Sequence, residues 1–451
     1  MAHFPPEDSL QAFIRPEIAM IPPSATLEIN ELSMKLENEG KTIYRFGFGQ
    51  SPFPVPASVV EELRKHAHRK EYLPVQGLGE LRREAAAYLT RKTGAPWQAS
   101  RVLVGPGSKE LMFLLQLASR ATLLLPAPSW VSYAPQAAVA GGRVEWISTR
   151  REHRWQVQPE ELEKAAQAAG SGTKVLVLNT PSNPTGHAYE RGNLCELAEV
   201  CRKNDLWVLS DEIYGDLHHE GNHVSIAAFY PEGTFVTTGL SKWAGAGGWR
   251  LGIMGLPAGA HSIAHSLAAL ASETFSCVAS PVQWAAVQAF RQEGDVPVFL
   301  DHSRCFLKAL GQWVATSLRQ AGIETEDPAG AFYLFPDFEA HRHALGAKKI
   351  ETSAALCEHL LEETGVALLP GSAFGMPGTS LTARLAYVNF DGEAVLERLA
   401  RNGGACDEAV LRELAPDVIK GIETLCGWSR AAARQVIGDG PADTISVESG
   451  N

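Results

Sequence analysis

The stretch SKWAGAGGWR, residues 241–250, decides the fold of this chain. It places Lys242 beside Ser241 and before a glycine-rich turn that ends at Arg250. A lysine amine in such a loop can form a Schiff base, and the serine and arginine can hold the phosphate of the same ligand. The glycines let the backbone approach that ligand closely. Because an ordinary surface turn can look similar, the neighbouring sequence has to decide between the two interpretations.

Three apolar runs upstream predict strands of a parallel sheet. Each run is followed by a polar segment: residues 174–178 by NTPSNPTG (179–186), 206–209 by SDEIY (210–214), and 235–240 by Ser241 and Lys242. Ligands bind at the carboxyl ends of the strands in an open α/β sheet. We therefore expect Asn183, Asp211, Tyr214 and Lys242 to meet at one sheet edge.

The three motifs resemble those of the class I/II aminotransferases, the aspartate aminotransferase-like family of fold-type-I pyridoxal-phosphate (PLP) enzymes. NTPSNPTG, SDEIY and SKWAGAGGWRLG stand in the family's order and with similar spacing, and the likeness extends from Phe46 to about Phe390. The resemblance implies an α/β fold. Its large domain has a mostly parallel central sheet and is joined by a smaller α+β domain.

Alternating strand-like and helix-like segments in the middle of the chain, such as residues 121–125 and 130–140, favour the same architecture. The polar composition of the last residues predicts a disordered tail. The expected division is residues 1–55 as an amino-terminal segment joining the small domain, 56–305 as the large PLP-binding domain, 306–438 as the small carboxyl-terminal domain, and 439–451 as the tail.

The resemblance implies catalytic roles for the motif residues. Lys242 would hold PLP as a Schiff base and later move protons as a free amine, and Asp211 would keep the pyridine nitrogen protonated. Tyr214 and Asn183 would donate hydrogen bonds to the phenolic oxygen of the cofactor. A desolvated lysine beside the cationic Arg250 is expected to have a lowered pKa, as a general base requires. An alternative for Asp211 is a helix cap.

A second glycine-rich segment, GPGSKE at residues 105–110, precedes an apolar helical run. Backbone N–H groups at a helix start attract anions, and the family binds the PLP phosphate there. The residues implied in this contact are Gly107, Ser108, Lys109, Ser241 and Arg250. Trp130 matches the aromatic residue that stacks on the cofactor ring, although a core tryptophan is the alternative.

The resemblance also implies a substrate site that two subunits share. Arg384 stands where the family places the arginine that binds the substrate α-carboxylate in a bidentate manner. Gly49 matches the amino-terminal loop that closes over the substrate, with Asn183 and Trp130 beside it. Tyr72 resembles the tyrosine that reaches the phosphate in the partner subunit, which implies a homodimer.

The implied activity is transfer of an amino group from an L-amino acid to a 2-oxo acid, a step of amino-acid metabolism. The positive charge of Lys109 is unfavourable at the amino-terminal end of the helix predicted there, which indicates that the residue is kept for a functional role. Some bacterial aspartate aminotransferases use a lysine here for the distal carboxylate, so aspartate or glutamate is favoured. The same residues also support elimination, γ-replacement or cyclisation, as in enzymes similar to aminocyclopropane-carboxylate synthases that act on S-adenosylmethionine.

Composition argues against several other classes of protein. The 451 residues are 45% hydrophobic and 20% charged, which is ordinary for a globular enzyme. A net charge of −11 disfavours nucleic-acid binding, and no apolar run is long enough to predict a membrane span. No signal peptide is recognisable and the seven cysteines form no CxxC pair, so a cytoplasmic location is expected. His218, His219 and His223 share one loop, a poor geometry for a metal site, and we expect none.

Overall fold

The computed structural model describes residues 14–19 and 25–438, so the predicted tail at 439–451 lies outside the described residues. The strands are β1 (Tyr44–Arg45), β2 (Val102–Gly105), β3 (Thr122–Ala127), β4 (Arg143–Ser148), β5 (Lys174–Asn179), β6 (Trp207–Asp211), β7 (Thr234–Gly239), β8 (Gly252–Gly255), β9 (Tyr333–Leu334), β10 (Val366–Ala367), β11 (Leu369–Pro370) and β12 (Ala383–Ala386). The helices are α1 (Pro16–Ala19), α2 (Ala25–Asn38), α3 (Ala57–His66), α4 (Gly79–Thr93), α5 (Ser108–Ala118), α6 (Tyr133–Ala140), α7 (Pro159–Ala168), α8 (Arg191–Lys203), α9 (His261–Thr274), α10 (Ser280–Arg291), α11 (Val296–Gln320), α12 (Arg342–Ala347), α13 (Ser353–Thr364), α14 (Gly392–Asn402), α15 (Glu408–Leu414) and α16 (Pro416–Gly438).

The central element is a seven-stranded sheet with the order β2-β8-β7-β6-β5-β3-β4. β8 runs antiparallel to both of its neighbours, and the remaining neighbours pair in parallel. The predicted mostly parallel sheet is therefore confirmed. Its strands read as nearly continuous apolar runs because helices cover both faces.

Alternate residues of each strand point into different cores, as the pleat of a strand requires. On β5, Val175 and Val177 pack into the cluster formed with α5, α6 and α9. Leu176 and Leu178 of the same strand pack into the cluster formed with α7 and α8. Apart from the edge strand β4, which is largely exposed, the sheet is thus buried on both faces, and its polar functional groups are left to the strand ends.

A second group of short strands lies beside the large sheet. β11, β12 and β9 form an antiparallel sheet, and β1 pairs with β10 in parallel. The long helix α11 begins at Val296, with Pro297 in its first turn. The predicted domain boundary at residue 305 falls within this helix, and the division into domains stays a prediction.

Among the described residues, no helix combines the length and the apolar character that crossing a membrane demands. Strand β1 matters for the functional site, because the chain passes from it directly to Gly47 and Gly49. Its pairing with β10 fixes the start of that loop.

Candidate active site

A cavity of about 530 Å³ opens at the carboxyl edge of the large sheet. The segments that follow β2, β3, β5, β6 and β7 all reach it, because parallel strands end at the same edge. Arg250 lies at the same edge because it comes just before β8, which runs antiparallel to its neighbours. The first residue of β8, Gly252, pairs with Gly105 and Gly239, the last residues of β2 and β7. The sheet topology therefore gathers residues that are far apart in the sequence.

Most of the predicted site residues line this one cavity. They are Gly49, Ser108, Lys109, Trp130, Asn183, Asp211, Tyr214, Ser241, Lys242, Arg250 and Arg384. Gly107 lies behind the guanidinium of Arg250. Tyr72 does not line the cavity of its own chain, and 90% of its surface is exposed.

The amine of Lys242 donates a 2.7 Å hydrogen bond to the carbonyl oxygen of Gly49. The pKa of Lys242 is lowered to about 8, mainly by burial. The positive charge of Arg384 contributes more to this lowering than that of Arg250 does. The lowered pKa and both expected causes, desolvation and the charge of Arg250, agree with the sequence analysis. Desolvation is the largest cause of the shift, and the stronger of the two cationic neighbours is Arg384 on β12.

Asp211 is the last residue of β6 and is buried. The hydroxyl of Tyr133 donates to its Oδ2 atom at 2.7 Å, and the N–H of Ile213 donates to Oδ1 at 3.3 Å. Burial nevertheless raises the pKa of Asp211 to about 6. Asp211 ends a strand, and the next helical turn, Gly215–Leu217, starts four residues later, so the helix-cap alternative does not describe its place.

The hydroxyls of Tyr214 and Tyr333 are 2.8 Å apart in a buried hydrogen bond. Burial raises the pKa of Tyr214 well above its usual range, so this phenol stays protonated. Tyr333 also lines the cavity, and the sequence analysis missed it. Its run of apolar and aromatic residues at 331–335 reads as an ordinary core strand, which carries no signal for a site.

Arg384 is buried on β12 and connects the small sheet to the cavity. It donates to Oδ1 of Asn183 at 3.2 Å and to the carbonyl of Gly47 at 2.6 Å. Its guanidinium lies over the rings of Tyr333 and Phe374, 4.9 Å and 5.1 Å from their centres. Its Nε is buried without a hydrogen-bond partner among the described residues, which leaves a donor for a carboxylate.

Arg250 and the start of α5 form a group of donors at one end of the cavity. Arg250 contacts Oγ of Ser241 at 3.4 Å and the carbonyls of Gly247 and Pro106 at 2.9 Å and 3.3 Å. Gly107 has a φ of +90°, and a Cβ there would collide with the Arg250 guanidinium. Glycine therefore allows the helix start and the arginine to approach the same point.

Lys109 and Trp130 lie together on the cavity wall. The Lys109 ammonium is 4.9 Å from the centre of the Trp130 ring, a cation–π distance. Burial, and then the charge of Arg250, lower the pKa of Lys109. Trp130 is only partly buried and packs edge-on against Tyr133 at 5.2 Å, so it belongs to the cavity wall rather than to the closed core.

The donor set of this cavity fits PLP. Asp211 is a buried carboxylate with no basic side chain within 4 Å in the described parts of the chain, which suits a ligand ring that brings its own positive charge. Arg250, Ser241 and the first N–H groups of α5 suit a phosphate. Lys242 lines the same cavity, and its amine, with the lowered pKa, can act as a nucleophile.

Comparison with known proteins agrees with this reading of the cavity. The sequence pattern of the family described as aminotransferase class I and II matches residues 41–397. The aspartate aminotransferase of Bacillus subtilis is 32% identical over 396 residues, which cover 85% of this chain and 97% of that protein. The aspartate/prephenate aminotransferase of Cereibacter sphaeroides is 30% identical over 408 residues, covering 88% of this chain and 99% of that one.

Solved structures extend the likeness to three dimensions. The aspartate aminotransferase of Thermus thermophilus, solved with maleate, superposes with a TM-score of 0.75 at 28% identity. The match covers 86% of this chain and 99% of that one. The expected fold type, a large domain with a mostly parallel sheet, is confirmed by this match.

Proposed function

The chain belongs to the class I and II aminotransferase family, and we propose that its amino donor is a dicarboxylic L-amino acid, aspartate or glutamate. It is a PLP-dependent aminotransferase that passes an amino group from an amino acid to a 2-oxo acid. PLP, when bound, supplies an electron sink for the negative charge that develops at the substrate α-carbon. The residues of the chain hold the cofactor, orient the substrate and move one proton.

Asp211, Ser241 and Arg250 are proposed to hold PLP at its two ends. The buried Asp211 carboxylate is suited to a protonated pyridine nitrogen, because no basic side chain of the described residues lies within 4 Å of it. Arg250 and Ser241, together with the helix start at Ser108, are suited to the phosphate. Trp130 would lie against the ring, with Asn183 and Tyr214 at its phenolic oxygen.

Lys242 is proposed to take the proton from the substrate α-carbon. With a pKa of about 8, a useful fraction of its amine is unprotonated near neutral pH. The carbonyl of Gly49 accepts from that amine at 2.7 Å and so keeps it inside the cavity. A base has to be both free of its proton and correctly placed, and this environment supports both conditions.

Arg384 is proposed to bind the substrate α-carboxylate. Its guanidinium is buried against two aromatic rings, without a carboxylate within 4 Å among the described residues. A substrate carboxylate would supply the missing negative charge and accept from the unpartnered Nε. The bonds to Asn183 and Gly47 then set the angle of the planar group.

The position of Lys109 is the observation that carries the dicarboxylic assignment. Its ammonium lines the cavity above Trp130 and has no carboxylate partner within 4 Å in the described chain. A second substrate carboxylate would pair with it. The B. subtilis relative is an aspartate aminotransferase, and the T. thermophilus structure was solved with maleate, a dicarboxylic acid, and both support the assignment.

A single-turnover screen tests this function. PLP-loaded protein is mixed with one amino acid at a time, and the 2-oxo acid released per active site is measured. Aspartate and glutamate are expected to give one equivalent of oxaloacetate or 2-oxoglutarate faster than alanine or leucine does. A faster reaction with monocarboxylic amino acids would overturn the dicarboxylic assignment, and methylthioadenosine release from S-adenosylmethionine would support the elimination or cyclisation alternative.

We further propose a homodimer with shared active sites. Tyr72 is 90% exposed and does not line the cavity of its own chain. A tyrosine suits an interface with another subunit, because its ring is apolar and its hydroxyl can find a hydrogen-bond partner there. In the proposed dimer it would lie against the phosphate in the partner's site, as the family resemblance implies, so each complete site would need two chains.

A further inference from the structure

Tyr333 stands between two residues of the proposed site. Its hydroxyl is 2.8 Å from the hydroxyl of Tyr214, and its ring lies 4.9 Å from the Arg384 guanidinium carbon. Only 1% of its surface is exposed, yet it lines the cavity. A buried tyrosine with both contacts can act on the phenol of Tyr214 without itself reaching the reacting atoms.

The Tyr333 hydroxyl has one proton and two acceptors within reach. The oxygen of Tyr214 lies at 2.8 Å and the carbonyl of Gly49 at 3.5 Å, so the bond to Tyr214 is much the better one. The amine of Lys242 already donates to the Gly49 carbonyl at 2.7 Å. Either hydroxyl can donate in the 2.8 Å bond, and with Tyr333 as the donor the Gly49 carbonyl is left to the amine of Lys242.

Donation by Tyr333 decides where the proton of Tyr214 points. Once the Tyr214 oxygen accepts from Tyr333, its own O–H is directed away from that partner and toward the cavity, which Tyr214 lines. We propose that Tyr333 is a positioning residue whose hydroxyl turns Tyr214 into a hydrogen-bond donor aimed at the cofactor's phenolic oxygen. This inference rests on the proposed role of Tyr214.

Packing keeps Tyr333 in this orientation. A Cβ at Gly49 would overlap the hydroxyl and ring of Tyr333, so the loop fits closely over the phenol. On its other side the ring supports Arg384, which in turn holds Asn183 at 3.2 Å. The hydroxyl therefore has little freedom to turn away from Tyr214.

The test is the pH titration of the visible absorbance of PLP-loaded protein, compared between wild type, Tyr333→Phe, Tyr214→Phe and the double variant. A donor to the phenolic oxygen lowers the midpoint of that titration, so Tyr333→Phe is expected to raise it by about half to one pH unit. kcat should fall about 3- to 10-fold with KM nearly unchanged. In the Tyr214→Phe background, removing the Tyr333 hydroxyl should cause almost no further shift.

Tyr387→Phe is the matched control, because Tyr387 is fully buried and its hydroxyl has no partner in the described chain. It should leave the midpoint where it is. An unchanged midpoint in Tyr333→Phe, or an equal shift with and without the Tyr214 hydroxyl, would overturn the inference. The wild-type titration and turnover separate this failure from failure of the proposed function, because a protein that binds no PLP would show neither.

Discussion

The hydroxyl of Tyr133, at the start of α6, donates a 2.7 Å hydrogen bond to Oδ2 of Asp211 at the end of β6. Burial raises the pKa of this aspartate to about 6, and the bond from Tyr133 acts in the opposite direction because it favours the ionised form. Tyr133 therefore keeps a buried carboxylate charged near neutral pH. A charged Asp211 is what a protonated pyridine nitrogen requires.

Tyr133→Phe is expected to weaken PLP binding to the apoprotein by about 10- to 100-fold, because one hydrogen bond to a charged group is lost. The pKa of Asp211 rises further without this donor, so more of the carboxylate is protonated at pH 6 than at pH 8. The loss should therefore be larger at pH 6. Titration of the apoprotein with PLP at both pH values measures it.

Tyr88→Phe provides the control for this variant. Tyr88 is a buried tyrosine that donates to Asp216 at 2.8 Å, a similar pair that does not line the cavity. Equal losses of PLP affinity in both variants, or a Tyr133→Phe loss that does not depend on pH, would contradict the role given to Tyr133.

Removing the amine of Lys242 should stabilise the apoprotein. The pKa of Lys242 is about 8 in the folded chain against 10.5 for an ordinary lysine, so at pH 7 folding has to bury a charge. Lys242→Met is expected to raise the Tm of the apoprotein at pH 7 by about 2–5 °C while abolishing turnover.

The pH dependence of that difference has a definite sign. Between pH 8 and 10.5 the unfolded wild type binds more protons at this lysine than the folded form, so its stability rises with pH through this window. The Lys242→Met variant lacks this contribution, and the gap between the two proteins should narrow as the pH rises. Thermal melts of both apoproteins at pH 7, 8, 9 and 10 measure it, and a constant gap would refute the burial argument.

The loop at Gly49 leaves no room for a larger residue. A Cβ there would meet the hydroxyl and ring of Tyr333, and the displaced loop would carry the Gly49 carbonyl away from Lys242. Gly49→Ala is expected to lower kcat/KM about 100-fold, as small displacements of catalytic groups do. Gly346→Ala, in α12 with open space at its Cβ, is the control. Full activity in Gly49→Ala would mean that the loop adapts.

The sequence predicted the large sheet and the residues at its edge well, because both depend on local pattern. Apolar runs that end in short polar motifs predict strands with Asp211 and Lys242 at their carboxyl ends, and this prediction does not depend on residues far away in the sequence. Tyr333 could not be found in this way. Its significance comes from Tyr214, 119 residues away, and from Arg384 on another strand.

The cause of the Lys242 pKa shift illustrates the same limit. The sequence pointed to desolvation and to the nearby Arg250, whereas Arg384 contributes more than Arg250 does. Arg384 is 142 residues away in the chain, and its distance from Lys242 depends on how β12 packs, which no motif encodes. Sequence reasoning therefore identified the groups of the site better than it identified their energetic environment.

Shared active sites predict that two inactive variants restore each other. Lys242→Ala chains retain Tyr72, and Tyr72→Ala chains retain Lys242, so a mixed dimer has one site with both residues and one with neither. Random pairing would make about a quarter of all sites complete. Activity after unfolding and refolding the two variants together measures this. No recovery, with a monomeric mass in solution, would contradict the shared site.

Lys109 should matter only for substrates with a second carboxylate. An ion pair formed in a partly buried site contributes more than a surface pair, so Lys109→Met is expected to lower kcat/KM for aspartate about 10- to 100-fold. Alanine and phenylalanine have no distal carboxylate, and their kcat/KM should change less than about 3-fold. Lys164→Met, at an exposed position on α7, should leave all three values unchanged. An equal loss for every amino acid would mean that Lys109 acts on the cofactor rather than on the substrate side chain.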